Sequence, residues 1–363
     1  MLEQVAEAFK RKQYQTASKL LKQLIKQEPQ NPWVHLYVGR LHEETGKLES
    51  AENVYRQLLK NTTHPKIIPQ ARQGLQRLAE IHKKQRQQAI ADATATPEGV
   101  ELGVMILESI SPELKKIAAQ KLAGVMEIDP YTARLHLPTR GWRLYKIGRI
   151  GELQFLTQQL QPAAIPSFSA SLTDIENINV LQVNYFKSNL SEVTVVCENE
   201  QAQLGSITFD WSEVNQRVEG LLPIFEEVVD FDVKRKLQRK TKILDYVQCC
   251  DLHLPERRSI LRLCDFQYQF QHGISLSQKQ ADIQPLSKTT TRNKWNNLIN
   301  FLNQQLPQTA IWSDFTIFGE TAIDQTDLLG HIKSHIELFR NIDTFWDQAF
   351  HLYSGLIFLK SMR

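Results

Sequence analysis

The sequence lacks a long apolar run. No stretch approaches the ~18 to 20 uninterrupted apolar residues that a membrane-spanning helix needs, and the apolar segment 353–359 stops at Lys360. The first residues carry Glu3 where a secretory signal would carry basic charge, and no apolar signal segment follows them. We therefore expect a soluble, cytoplasmic protein with no membrane partner.

Cysteines are few, and their spacing is not typical of a metal site. The four cysteines Cys197, Cys249, Cys250 and Cys264 include no CxxC pair. Because Cys249 and Cys250 are adjacent, they would point to opposite faces of a strand, so we expect reduced, structural thiols. A Gly-rich phosphate loop and a GxSxG motif are also missing from the sequence. We expect no metal and no cofactor, and the sequence favours a protein that is not an enzyme.

The sequence also lacks a large excess of charge of either sign. The chain has 43 basic and 40 acidic residues, a net charge of +3, and this balance does not indicate nucleic-acid binding by the whole molecule. A length of 363 residues exceeds the usual size of one domain, so we expect two or three folding units.

A repeat with a period of 34 residues is present near the amino terminus. Residues one period apart include the pairs Ala17 and Ala51, and Leu24 and Leu58. The fuller copy runs through 32–39 and 45–48 to Tyr55. This pattern resembles the tetratricopeptide repeat family, over residues 1–90. Residues 69–90 are predicted to form one amphipathic helix that caps the solenoid.

The resemblance implies roles for individual residues. Gly39 stands where the family has a small residue at a helix crossing, and Tyr55 where a large side chain fills the gap between hairpins. Helix residues that would face the concave groove and bind a partner protein or peptide are Phe9, Lys10, Trp33, Leu36, Arg40, Glu43 and Glu44. Alternatively, Trp33 and Phe9 only pack against neighbouring hairpins.

After this segment the pattern changes to mixed α/β. Residues 91–99 are small and polar and contain Pro97, which predicts a linker. Residues 100–172 are predicted to form a small α/β unit in the order strand, helix, helix, strand, helix, strand. This order resembles the fold shared by the ribosomal stalk protein's C-terminal domain and the Clp protease adaptor, which implies a docking module.

Residues 177–363 are predicted to form an α+β domain with carboxy-terminal helices. Strands are expected at 178–186, 192–197, 205–209, 241–253 and 259–270, and helices at 211–229, 292–306, 326–339 and 343–358. Residues 271–291, rich in Gln, Ser and Thr, are expected to form a mobile loop. The overall fold class is therefore a multidomain one, an all-α solenoid followed by α+β domains.

Two alternatives concern chemistry in this domain. Asp245, Asp251 and Asp265, together with Glu226 or Glu227 and with Lys240 or Lys242, could form a metal-dependent nuclease site, although solvated acids are the favoured interpretation. His331 and His335 are four residues apart on a predicted helix and could meet one metal. They lack the neighbouring Glu of a zincin, so a structural role is favoured.

A basic run could contact nucleic acid or an acidic partner. Its cations are Lys234, Arg235, Lys236, Arg239, Lys240 and Lys242. Aromatic residues that stack on bases are not interleaved with them, so a solvated loop is favoured. The sequence therefore predicts a protein–protein interaction adaptor or scaffold that uses its repeat groove. Nucleic-acid binding or a nuclease-like activity in the carboxy-terminal half is the alternative.

Overall fold

The structure, a computed structural model, describes residues 1–189, 192–231, 237–276 and 290–362. The chain divides into two compact units, Met1–Asp92 and Ala93–Arg363. The first is helical and the second mixed, which confirms the predicted fold class.

The first unit, the repeat unit, consists of five helices. They are α1 (Leu2–Lys10), α2 (Tyr14–Gln27), α3 (Pro32–Glu44), α4 (Leu48–Asn61) and α5 (Ile67–Ala93), the last ending at the boundary of the unit. The turns inside the two hairpins have a residue in the left-handed region at equivalent positions, Lys12 (φ 57°) and Gly46 (φ 76°), one period apart. Glycine adopts that conformation without a steric penalty, whereas Lys12 does not.

Tyr55 joins the second hairpin to α5. Its side chain is fully buried. The ring lies between Gly39 and Gly74, so close to both that a Cβ atom added to either glycine would lie 2.5 Å from it. The predicted close approach at Gly39 is confirmed. The two glycines therefore allow α3 and α5 to pack against one aromatic side chain.

The second unit begins with a three-stranded antiparallel sheet in the order β2-β1-β3. Its elements are α6 (Pro97–Val100), β1 (Leu102–Glu108), α7 (Lys115–Met126), α8 (Pro130–His136), β2 (Trp142–Arg149), α9 (Ile150–Leu160) and β3 (Ser167–Ser171). From β1 onward this is the predicted order. Residues 91–99 include the end of α5 and the start of α6, and the Thr96 side chain caps α6.

A seven-stranded sheet follows, in the order β10-β7-β8-β9-β4-β5-β6. Its elements are α10 (Leu172–Glu176), β4 (Asn179–Asn189), β5 (Val193–Glu198), β6 (Leu204–Phe209), β7 (Gln216–Phe231), β8 (Leu237–Leu254), β9 (Ser259–Cys264), α11 (Thr291–Gln305), β10 (Ala310–Trp312), α12 (Phe315–Ala322), α13 (Thr326–Leu329) and α14 (Trp346–Ser361). The β4/β9 and β7/β10 pairs are parallel, and the other neighbours are antiparallel.

Two helix predictions were wrong. The segment 211–229 is mostly strand β7, because β8 pairs with it over its whole length, and such cross-strand pairing overrides local helix propensity. The segment 326–339 is helical only to Leu329. Beyond it, the Ser334 carbonyl accepts a hydrogen bond from the Arg262 guanidinium (2.7 Å), a contact that helix periodicity does not reveal.

Helix α14 lies in a core that both predicted carboxy-terminal domains share. The ring of Trp142, on β2, packs against Phe168 on β3, Trp312 on β10 and Tyr353 on α14. A second core on the other face of the large sheet lies under α11. Cys249 belongs to the first core and Cys250 to the second, as expected for neighbours on a strand.

Candidate functional site

One face of α3 carries four large polar or aromatic side chains. Trp33, Tyr37, Arg40 and Glu44 are spaced by four, three and four residues, so they lie on one side of the helix. The first three are half-buried and Glu44 is exposed. We call these four residues the repeat stripe.

Contacts from neighbouring helices hold the repeat stripe in place. The Trp33 and His64 rings form a T-shaped pair with their centroids 5.6 Å apart. Arg40 donates to Gln70 Oε1 on α5 (3.2 Å), and its guanidinium lies 5.8 Å from the centroid of the Tyr37 ring. These side chains have defined partners and therefore defined orientations.

The first repeat adds contacts at the other end of the stripe. The Phe9 ring, on α1, packs against Tyr37 at 5.5 Å and against Tyr14 at 6.1 Å. Tyr14 donates a 2.7 Å hydrogen bond to Glu44, which raises the pKa of the Tyr14 hydroxyl. Lys10 is exposed at the end of α1. Phe9 therefore makes packing contacts with a residue of the stripe and with Tyr14.

Two predicted groove residues lie elsewhere. Leu36 is 1% exposed and belongs to the core around Tyr55. Glu43 accepts hydrogen bonds from Arg77 Nε (2.6 Å) and from the Tyr55 hydroxyl (2.8 Å). A helix turns by about 100° per residue, so both positions face α4 and α5 instead of the stripe. These two assignments are corrected: Leu36 and Glu43 hold the helices together.

Electrostatics around Glu43 agree with a structural role. Desolvation raises the pKa of the Glu43 carboxyl, but the hydrogen bonds from Arg77 and Tyr55 outweigh it, and the pKa falls below its usual value. Desolvation and the bond to Glu43 raise the pKa of Tyr55. The group is therefore a carboxylate paired with a cation and a neutral phenol.

Sequence reasoning missed Tyr37. The signal that could have identified it is helix periodicity, since Tyr37 is four residues after Trp33 and three before Arg40. Aligning the repeats instead drew attention to Leu36 and Glu43, whose side chains point toward the next helix.

The described cations of the basic run lie on a strand and not in a loop. Arg239, Lys240 and Lys242 are on β8, whereas Lys234, Arg235 and Lys236 lie outside the described residues. Arg239 lies 3.7 Å from Glu227 and Lys242 lies 2.7 Å from Asp230, both acids on β7. Acidic neighbours therefore partly neutralise the described cations, which does not favour phosphate binding.

The acids of the nuclease alternative are separated by their surroundings. Asp251 is fully buried in an ion pair with Arg262, and its Oδ2 also accepts from the Ser354 hydroxyl (2.6 Å). Asp245 is exposed on β8, and its Oδ1 accepts from the backbone N–H of Tyr246. Asp265 is half-buried, and desolvation raises the pKa of its carboxyl. In the described part of the chain no three His, Cys, Asp or Glu side chains could hold a metal ion together.

The two histidines of the other metal alternative do not share a helix. His331 lies after α13, with its Nδ1 near the Asp327 carbonyl (2.6 Å). His335 has a positive φ of 53°, and its Nδ1 lies 3.2 Å from Glu200. The four cysteines are buried free thiols, and the Sγ atoms of Cys249 and Cys264 are 3.0 Å apart.

Comparison with known proteins identifies one segment. A family model for the tetratricopeptide repeat matches residues 8–67, a range that contains α2, α3 and α4 and therefore the repeat stripe. No curated protein and no solved structure matches the chain. Within the described ranges, no helix has both the length and the apolar character needed to cross a bilayer.

Proposed function

We propose that the chain is a protein–protein interaction adaptor or scaffold, without catalysis of its own, and that the repeat stripe holds its partner. Tetratricopeptide repeats generally mediate protein–protein interactions, and residues 8–67 match that family. The observation that supports the site is the stripe itself, in which Trp33, Tyr37, Arg40 and Glu44 lie together on one accessible helix face.

The residue types of the stripe suit a protein partner. Trp, Tyr and Arg carry much of the binding free energy in protein interfaces. Arg40 is oriented by Gln70, and Trp33 by its packing on His64, so less conformational entropy is lost when a partner binds. A peptide with an apolar side chain for Trp33, a carboxylate for Arg40 and a basic group for Glu44 would match the stripe.

The test compares affinity enrichment by the full-length parent with enrichment by Trp33→Ala and Arg40→Glu, from a lysate of the source organism, using quantitative mass spectrometry. We expect a set of proteins captured by the parent to be lost by both variants, because each removes a central contact of the stripe.

The matched control is Arg56→Glu. Arg56 is an exposed arginine on α4, away from the stripe, and it pairs with Glu52 at 2.6 Å. This variant should capture the same proteins as the parent. If Trp33→Ala and Arg40→Glu also capture the parent's set unchanged, the stripe is not the binding site.

A further inference from the structure

Two cysteines lie opposite each other on neighbouring strands inside the large sheet. Cys249 on β8 and Cys264 on β9 are direct cross-strand partners in the antiparallel register. Their Sγ atoms are 3.0 Å apart, and both side chains are buried in the first core. The fold therefore holds two free thiols in contact with each other.

The backbone pairing at this position favours close approach of the two side chains. The backbone N–H of Asp265 donates to the Gln248 carbonyl (3.0 Å), so the neighbouring pair of residues is a hydrogen-bonded one. Hydrogen-bonded and non-hydrogen-bonded pairs alternate along an antiparallel ladder, which makes Cys249 and Cys264 a non-hydrogen-bonded pair. The Cα atoms of such a pair lie about 4.5 Å apart, within the range of about 4.4 to 6.8 Å that a disulfide can bridge.

The next pair on the same face fixes the register of the two cysteines. Asp251 and Arg262 lie two positions along the ladder, and their fully buried side chains form hydrogen bonds of 2.9 and 2.7 Å across the strands. The thiols beside them are thus held in place. A movement of about 1 Å would bring the two sulfurs to the bonded S–S distance of about 2.05 Å.

The other two cysteines lie opposite residues of other types. Cys250 belongs to the second core, on the other face of the sheet, and lies opposite Leu263 on β9. Cys197 is on β5 and lies opposite Val183 on β4 and Gly205 on β6. The register therefore selects a single pair of the four cysteines.

We propose that Cys249 and Cys264 are an oxidation site, at which a small disulfide such as oxidised glutathione converts the two thiols into a cross-strand disulfide. One thiolate attacks a sulfur of the oxidant, which forms a mixed disulfide and releases one reduced glutathione. The second cysteine then attacks the protein sulfur of the mixed disulfide, the new S–S bond forms, and the second glutathione leaves. The protein pair loses two electrons and two protons, and the oxidant takes them up as two thiols.

Burial determines when this reaction takes place. Desolvation, followed by the contact with Cys264, raises the pKa of the Cys249 thiol well above its ordinary value. Because the thiolate is the reactive form, the closed core protects the pair from oxidants. The bond therefore forms as the chain folds, before the core closes. In a reducing compartment the same pair stays a dithiol.

The bond links the two halves of the large sheet. Strand β8 also pairs with β7, and β9 with β4, so the disulfide joins the two groups of strands covalently. A disulfide restricts the unfolded chain, and the oxidised protein should be more stable than the reduced one. The pair lies in the second unit and does not involve the repeat stripe, so this proposal and the proposed function can fail independently.

The test counts thiols in the full-length chain. Reduced protein is unfolded in urea, refolded in a buffer of reduced and oxidised glutathione, and labelled with N-ethylmaleimide in denaturant before its intact mass is measured. We expect labels at Cys197 and Cys250 only, and a disulfide-linked peptide that contains Cys249 and Cys264. The same chain kept fully reduced should be labelled at all four cysteines. The oxidised protein should unfold at a higher urea concentration than the reduced protein, and dithiothreitol should abolish that shift.

Cys250→Ser changes the neighbouring cysteine and is the matched control. It should still form the bond, with Cys197 as its remaining thiol, whereas Cys264→Ser should form no disulfide within the chain. If Cys264→Ser does not fold, the parent and Cys250→Ser still decide the outcome. The proposal is overturned by a refolded parent labelled at all four cysteines or retaining bound glutathione, or by a disulfide that includes Cys197 or Cys250. A disulfide found only in chains whose circular dichroism differs from that of the reduced protein would also overturn it.

Discussion

The two units use buried charge in different ways. In the repeat unit, Glu43 and Arg77 pair at the margin of the core, with side chains 11% and 45% exposed. In the second unit, the side chains of Asp251 and Arg262 are both fully buried. The repeats therefore keep one ionic partner in water, whereas the second unit must satisfy both charges internally.

The second unit satisfies them with a complete set of partners. Arg262 donates to Asp251 through Nε (2.9 Å) and Nη2 (2.7 Å), and to the Ser334 carbonyl through Nη1. Ser354 bonds Asp251, and the Nε2 atom of His253 lies 3.0 Å from the Ser354 hydroxyl. The difference between the units is thus between a peripheral ion pair and a buried polar network, and single changes should affect the network more.

The stabilities of the two units should differ most in acid. Burial lowers the pKa of His253 and of His335 to about 4, and that of His351 well below its usual value. Between pH 6.5 and 4 the unfolded chain binds protons at these positions that the folded chain excludes, so stability falls as pH falls through this window. For His253 alone the loss is about 3 kcal/mol.

In the repeats, burial also lowers the pKa of His42, but this side chain is only partly buried. Hydrogen exchange, corrected for its intrinsic pH dependence, should therefore show that the second unit loses protection before the repeats. His253→Asn keeps a polar group beside Ser354 without a titrating ring, and should reduce the pH dependence. Equal loss of protection in both units would contradict this expectation.

Replacing the arginine of each ion pair compares directly how much the two pairs contribute to stability. Arg262→Met leaves Asp251 buried without a counter-charge and should destabilise the protein by about 3 to 5 kcal/mol. Arg77→Met leaves Glu43, which is 11% exposed, with its bond from Tyr55, so the loss should be smaller, about 1 to 3 kcal/mol. Urea unfolding of both variants measures the difference in lost stability. Similar losses would show that the extent of burial does not determine the cost of removing the cation.

The same contrast determines what the sequence could predict. In the repeats, the contacts that define the fold join residues within about one period, and Gly39 and Tyr55 fall in a recognisable pattern. In the second unit, β4 pairs with β9 about 80 residues away and β7 pairs with β10 about 94 residues away, so strand identity depends in part on a distant partner. The wrongly predicted helix at 211–229 overlaps β7, whose cross-strand partners helix periodicity does not reveal.

The candidate site was predicted in part for a related reason. Trp33, Arg40 and Glu44 were expected at a groove and lie together in the repeat stripe. Their role as partner contacts stays a prediction. Leu36 and Glu43 were misplaced because repeat alignment identifies the helix but not the side that neighbouring helices cover. Only three-dimensional packing on α4 and α5 settles which side is buried.

The last expected effect concerns the close packing of the repeats. Gly39→Ala places a Cβ atom 2.5 Å from the Tyr55 ring, which cannot move away because Gly74 lies against its other side. Overpacking of this kind should destabilise the protein by about 1 to 3 kcal/mol. Thermal unfolding followed by circular dichroism measures the loss.

Gly124→Ala is the matched control in the second unit. Gly124 lies in α7 and a Cβ atom there has no neighbour within 4 Å, so the same change should stabilise the helix by about 0.5 to 1 kcal/mol. Adding Tyr55→Leu to Gly39→Ala should destabilise less than the two single losses combined, since the smaller side chain relieves the clash. Additive losses would mean that Gly39 and Tyr55 do not constrain each other, and the repeats would then lack the tight helix crossing that we assign to them.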